Sequence, residues 1–456
     1  MEEIAFLSAA EQARLVAAGE LSAVELVETY LGRIERLDAP LRSYVTVCAE
    51  EALAEARDPR PGPLGGVPIP VKDLTATAGI RTTYSCRAFA DHVPDVDAAV
   101  VRRLKAAGAI VLGKTNTPEF GSIPVTESDL NGACRNPWDL ERTPGGSSGG
   151  AAAAVAAGLA PAAHGTDGGG SLRIPASCCG LVGLKPSRGR ISPAPFVSLE
   201  GLSTSGVVAR TVRDAALLLD AMAGPEPGDR FALPLPERRF AEQMDEPPGR
   251  LRIALTTEPP ADLPVDPACH RVLEEAAVLL ASLGHHVREA RPAWRDPRLV
   301  SSFGAVWCVV PALYGVQDES LLTQINRDQL ARARAQASPD FVAASRRLQL
   351  AAREIVAFWA DVDVVVTPTL ALPPVPIGWL EADEQARSML GLPLTPFTAV
   401  ANVTGQPALS VPLGRDGDLP IGIQLIGPPE GDALILRLAR QLEEAQPWGD
   451  QRPDHS

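Results

Sequence analysis

Apolar positions in the first fifty residues recur at helical spacing. Val24, Val27, Leu31 and Ile34 fall on one stripe of a helix expected from Ala23 to about Leu37, a face that must pack against something further along the chain. Ser8 with Glu11, and Ser22 with Glu25, have the spacing at which a hydroxyl and a carboxylate satisfy the free amides of a helix start, so two N-terminal helices are expected. A Pro/Gly-rich bend, Pro59 to Gly66, leads into the extended run Val67 to Val71. Pro68 and Pro70 lack backbone donors, which argues against a fully paired central strand there. A helix from about Asp97 to Ala107, stopped at Gly108, and the apolar strand Ala109 to Leu112 come next.

The middle third is rich in glycine: Pro144 to Gly150, then the alanine run Ala151 to Ala163, then Gly165 to Ser171. The alanine run contains Gly158 and Pro161 and is too short and too weakly hydrophobic to span a bilayer, so it reads as a buried helix. Beyond it, Thr211 to Ala223 and Pro267 to Leu283 read as helices, Leu251 to Leu255 and Val362 to Val366 as strands. Residues 224–250, rich in Pro, charge and turn formers, read as a surface excursion. Helices alternating with short apolar strands through both halves, with no internal repeat, predict one large α/β domain over residues 1–456.

The 456 residues are 45% hydrophobic and 21% charged, enough to bury a large core. A net charge of −14 repels nucleic-acid backbones and anionic membranes, so neither is an expected partner. Seven scattered cysteines, an odd number, lack the density of a secreted disulfide scaffold. With the start Met-Glu-Glu in place of a basic and apolar leader, they point to the cytoplasm.

Two motif matches fail on context. Gly108 to Thr115 has the letters of a phosphate-binding loop, but its spacer is itself the strand and Pro118 follows where a helix should start. Gly146-Ser147-Ser148-Gly149-Gly150 has the letters of a nucleophile elbow, yet no strand leads into the serine. Of the six histidines only His164 stands near a candidate serine, and it reads as a packed residue at a strand end. The vicinal Cys178-Cys179 has no companion cluster at metal-ligand spacing, and neither a metal nor a cofactor is expected.

Thr166-Asp-Gly-Gly-Gly-Ser171 places a hydroxyl after three residues without side chains, so successive backbone N–H groups can turn toward one point. It reads either as an oxyanion hole with its nucleophile attached or as a flexible loop. A serine hydroxyl needs a base. The chain has four lysines, Lys72, Lys105, Lys114 and Lys185. Lys105 reads as a solvated helix charge, and Lys114 and Lys185 follow apolar strands where either can be structural. Lys72 ends Val-Pro-Ile-Pro-Val, an apolar setting that costs an ammonium its hydration and lowers its proton affinity. Asp73 would oppose this, but adjacent side chains of an extended chain point to opposite faces.

Taken in order, Lys72, the Pro-Gly-Gly-Ser147-Ser148-Gly-Gly segment and the Gly-rich segment ending at Ser171 resemble the amidase signature family of Ser-Ser-Lys hydrolases. The serines stand 171 − 147 = 24 residues apart, as in that family. Gly113-Lys-Thr-Asn, Arg135-Asn-Pro-Trp, Arg173-Ile-Pro-Ala, Asn402-Val-Thr-Gly-Gln-Pro-Ala and Pro420-Ile-Gly-Ile-Gln read like family segments too, densest over residues 67–192. The resemblance implies a mixed, twisted sheet flanked by helices, with the N-terminal helices outside. It implies Ser171 as nucleophile, Lys72 as ultimate base, and Ser147, after a cis Gly146-Ser147 bond, as the relay between them. The amides of Gly168, Gly169, Gly170 and Ser171 would hold the oxyanion, and water would hydrolyse the acyl-serine. Glycine at position 168, where many members carry a larger residue, implies a looser loop or unusual backbone angles.

Short segments, His164-Gly-Thr-Asp among them, are most similar to the branch acting on cyclic amides of nylon oligomers. By that likeness Cys308, beside Trp307, belongs to the substrate pocket, a buried structural thiol being the other reading, and Asn131 lines the entrance. The expected substrate is a small neutral amide. The alternative is a glutaminase-like subunit of a tRNA-dependent amidotransferase, and a homodimer is left open.

Overall fold

A computed structural model describes residues 3–456. Eleven strands form one sheet: β1 (Tyr44–Val47), β2 (Pro68–Lys72), β3 (Ile110–Thr115), β4 (Ala162–Asp167), β5 (Val182–Lys185), β6 (Thr204–Ala209), β7 (Arg252–Leu255), β8 (His286–Glu289), β9 (Val364–Pro368), β10 (Ala408–Asp416) and β11 (Leu419–Ile426). Their spatial order is β1-β3-β2-β4-β6-β5-β10-β11-β9-β7-β8. The sheet is mixed, as expected. Strands β3-β2-β4 and β9-β7-β8 run parallel, and antiparallel pairs join them.

Ser8 and Ser22 cap the first two helices, Ala9–Ala17 and Ala23–Leu41, and Ser22 with Glu25 completes a capping box. The apolar stripe of the second, including Val27 and Ile34, packs with Ile110 and Leu112 of β3 on the outside of the sheet. The opposite face of that part of the sheet, through Val67, Ile69 and Val111, joins the main core with the helix Val212–Met222. Residues 224–250 run largely exposed but are pinned to this core by Phe240 and Met244. No described helix is long and apolar enough to cross a membrane.

One expectation holds and one needs correction. β2 is an interior strand, parallel to both neighbours, and as its prolines predict it is not fully paired. Pro68 and Pro70, two residues apart, lose donors on the same edge of the strand. Toward β4 the pairing is confined to one register position, Val71 opposite His164, while four positions align with β3. The alanine helix is shorter than its run of alanines: it spans Gly149–Ala156, and Ala162 and Ala163 already belong to β4. Gly158, at φ +66°, turns the chain, and Pro161 cannot continue a helix.

The candidate active site

Lys72 sits at the C-terminal end of β2 with no exposed surface. Its Nζ lies 2.7 Å from Ser147 Oγ, 2.9 Å from Ser148 Oγ and 3.1 Å from Thr166 Oγ1. Three hydroxyls and no carboxylate form its shell. Burial therefore lowers its pKa to about 7, against a weaker opposing pull from the Asp167 carboxylate. Asp73 faces away and accepts hydrogen bonds from the Thr83 amide and hydroxyl.

The other lysines do different work. Lys114 is buried in β3 and bonds the Thr75 carbonyl with the hydroxyls of Thr77 and Thr82. β3 extends through Gly113 to Thr115, so the phosphate-loop letters are indeed strand. Lys185 donates to the Pro186 carbonyl, and Lys105 pairs with Asp97. Only Lys72 reaches a serine. His164 lies buried within β4 with Nε2 3.3 Å from Ser205 Oγ, and burial, aided by Lys114 and Lys72, lowers its pKa to about 3.

Ser147 follows a cis peptide bond from Gly146. Ser148 binds back to the Ser171 segment, its amide donating to the Ser171 carbonyl at 3.1 Å. Ser171 lies between β4 and the helix Arg173–Cys179, on a loop held from within by Asp167. Asp167 Oδ1 accepts from the Gly170 amide at 2.8 Å and Oδ2 from the Leu172 amide at 3.2 Å. The Gly170 N–H is thus already committed, and it drops out of the expected oxyanion hole. The amides of Gly168, Gly169 and Ser171 carry no hydrogen bond within the described residues.

Asp167 is anchored in turn. All five N–H groups of the fully buried Arg173 find acceptors: Asp167 twice, the Thr398 carbonyl, Gln424 Oε1 and Asn402 Oδ1. Burial alone would raise the Asp167 pKa, but the Arg173 guanidinium, with Lys185 and Asn402 behind it, outweighs it and holds the carboxyl at about 2. Thr398 Oγ1 donates to the Gly169 carbonyl at 2.6 Å. None of these anchors stood out as functional in the sequence, although Arg173, Asn402 and Gln424 all lie in the family-like segments.

Two cavities meet at Ser171. One, of about 440 Å³, is lined by Gly169, Phe303, Gly304, Trp307 and Cys308 among others. The second, of about 1040 Å³, is lined by Ser147, Thr166, Gly168, Trp307 and an aromatic cluster of Tyr84, Phe89, Phe120 and Tyr314. Cys308 therefore faces the smaller cavity, with its thiol bonded to the Ala305 carbonyl. Asn131 lines neither. Its amide nitrogen donates to Ser85 Oγ at 2.9 Å, and the entrance role expected for it finds no support in the lining of either cavity. Cys178 and Cys179 are buried and free, and no group of His, Cys, Asp or Glu among the described residues could hold a metal ion.

The loop is not loosened at Gly168. Its φ is not in the left-handed region, and the room of a side chain is filled by Trp307: a Cβ there would lie 2.6 Å from the indole. Trp307 is fixed by a 2.9 Å bond from Nε1 to the Ser122 carbonyl and by stacking on Phe303.

The amidase family model matches residues 25–436. The putative amidase AmiB2 of Mycobacterium tuberculosis is 46% identical over all of this chain and 99% of its own length. A 6-aminohexanoate-cyclic-dimer hydrolase of Paenarthrobacter ureafaciens is 38% identical, covering 98% of this chain and 96% of its own. A solved structure of such a hydrolase with its substrate, also 38% identical, superposes with a TM-score of 0.95 over 99% of both chains. A glutamyl-tRNA(Gln) amidotransferase component of Thermus thermophilus is 40% identical over 94% of this chain and 95% of its own.

Gly168→Val should force the indole aside and destabilise the protein by roughly 1–3 kcal/mol in denaturant unfolding. Combined with Trp307→Leu, most of that loss should be recovered. A double variant as unstable as the sum of the singles would show that the two positions do not share one space.

Proposed function

The chain belongs to the amidase signature family and hydrolyses amide bonds, and from that premise we infer the route of its reaction. Neutral Lys72 takes a proton from Ser147 Oγ as Ser147 takes one from Ser171 Oγ. The freed oxygen attacks the amide carbonyl. The amides of Gly168, Gly169 and Ser171 then hold the oxyanion, a stabilisation worth about 3 kcal/mol per donor. As the C–N bond breaks, the leaving nitrogen receives the proton back through Ser147, and water releases the acyl group from Ser171 by the reverse relay.

The observation that carries this reading is the shell of Lys72: a buried amine, 2.7 Å from Ser147, with no carboxylate to hold its proton. At about 1.4 kcal/mol per pH unit, the fall from 10.5 to about 7 corresponds to roughly 5 kcal/mol against the charged form. A lysine at its ordinary pKa would be neutral in only about one molecule in a few thousand at pH 7.

We propose a small neutral amide as substrate, in keeping with cavities lined largely by apolar side chains. The names of the relatives make the 6-aminohexanoate cyclic dimer the first compound to assay, with its linear counterpart beside it. A reducing cytoplasm is supported by seven buried, unpaired cysteines. The amidotransferase reading draws on the Thermus relative. Turnover of simple amides by the isolated chain favours the stand-alone enzyme, whereas activity only with co-purifying subunits favours the assembly.

Ser171→Ala should abolish hydrolysis and Lys72→Ala should lower kcat by several orders of magnitude. The double variant should be little worse than either, because the residues act as one unit. Multiplicative losses in steady-state assays would break the relay apart.

The acid limb of kcat/KM should report Lys72. The base is neutral above its folded pKa and protonated below it. The rate should therefore fall about tenfold per unit beneath pH 7 and level off above. A profile flat from pH 5 to 8 would exclude an amine base.

A further inference from the structure

The nucleophile stands where the two cavities join, and the groups around it are divided between them. Ser171, Gly121 and Trp307 line both. Ser147 lines only the larger cavity, and Gly169 only the smaller. Trp307, pinned at Ser122 and stacked on Phe303, stands between them. This arrangement orients the substrate, because the leaving nitrogen must lie within reach of the hydroxyl that protonates it.

We propose that the amide binds across the Trp307 partition, with its amine half in the larger, aromatic cavity and its acyl half, an aliphatic chain, in the smaller one. The inference rests on the reading of Ser171 as nucleophile and Ser147 as relay. Once the C–N bond breaks, the acyl group stays on Ser171 in the smaller cavity. The amine takes its proton from Ser147 on the larger side and leaves from there. The smaller cavity suits an aliphatic acyl chain because Ile174, Leu299, Phe303 and Val403 line it. Its one charged lining residue, Arg332, is exposed. The larger cavity is bordered by Tyr84, Phe89 and Tyr314, apolar rings that suit an aromatic or bulky amine.

Gly304 gives access to the division. It lies within the helix Pro297–Trp307 on the wall of the smaller cavity, and a Cβ there meets nothing within 4 Å. Gly304→Leu therefore adds bulk to that cavity alone, and leucine favours a helix over glycine, so folding is not the expected casualty.

The test measures kcat/KM for acetyl and hexanoyl p-nitroanilides, and for acetyl amides of aniline and 2-naphthylamine. In Gly304→Leu the hexanoyl-to-acetyl ratio should fall at least tenfold, while the naphthylamide-to-anilide ratio stays within twofold. A fall in the amine ratio instead would reverse the orientation, and no change in either would remove the smaller cavity from the binding site. Both results overturn the proposal. A fluorophosphonate adduct recovered on Ser171 of the same variant separates these outcomes from failure of the catalytic reading. Labelling at Ser148 instead would overturn both together.

Discussion

Everything at this site depends on keeping an amine dry without giving it a counter-charge. A lysine placed in the interior finds a carboxylate and stays protonated, is expelled toward water, or loses proton affinity. Lys72 takes the third course, and it alone of the buried lysines does so against two serines. The sheet closes over it from both sides, since β2 lies between β3 and β4, and the polar atoms that reach its nitrogen are hydroxyls. Hydroxyls can accept from an ammonium or donate to an amine, so the shell stays satisfied in either protonation state. A carboxylate at the position of Ser147 would favour the ammonium and raise its pKa again.

The loop that carries Ser171 is held in the opposite way, by a buried carboxylate that is given its counter-charge. Asp167 is kept ionised by Arg173, and its two oxygens fasten the amides of Gly170 and Leu172 on either side of Ser171. A buried ion pair is weak evidence for stability on its own, because desolvation offsets much of its attraction. Its value here is geometric. Asn402 and Gln424, 229 and 251 residues beyond Arg173 in the chain, complete the donors and acceptors of the pair. The loop thus inherits the rigidity of elements far from it in sequence, and an oxyanion hole works only if its donors are already in place when charge develops. Committing the Gly170 amide to Asp167 loses one donor and fixes the direction of its neighbours.

Much of this was legible in the sequence, because the relevant signals are local. The capping pairs at Ser8 and Ser22 need only three-residue spacing. The apolar run before Lys72 announced a dehydrated amine, and the Gly-rich turn announced free amides. What stayed hidden depends on neighbours that no local pattern names. Pro68 and Pro70 argued against a fully paired central strand, but did not reveal that the strand would still be interior, with both missing donors on the one edge where pairing is brief. The alanine-rich run carries no period that tells helix from strand, so only Gly158 and Pro161 marked the change. Asn131 was an entrance residue by resemblance alone, and in the fold it donates to Ser85 and lines neither cavity. The roles of Thr166, Arg173, Asn402 and Gln424 exist only in three dimensions.

Gly168 shows how composition alone misleads in this respect. Read along the chain, three consecutive glycines mean freedom, and a glycine in place of a larger residue means more of it. In the folded protein the missing side chain is a space, and the indole of Trp307 occupies it from a helix distant in the sequence. Close packing converts the absence of one side chain into the fixed position of another. Gly168 therefore leaves the Ser171 loop as firm as its neighbours make it. The bulk stands instead on Trp307, at the boundary between the two cavities.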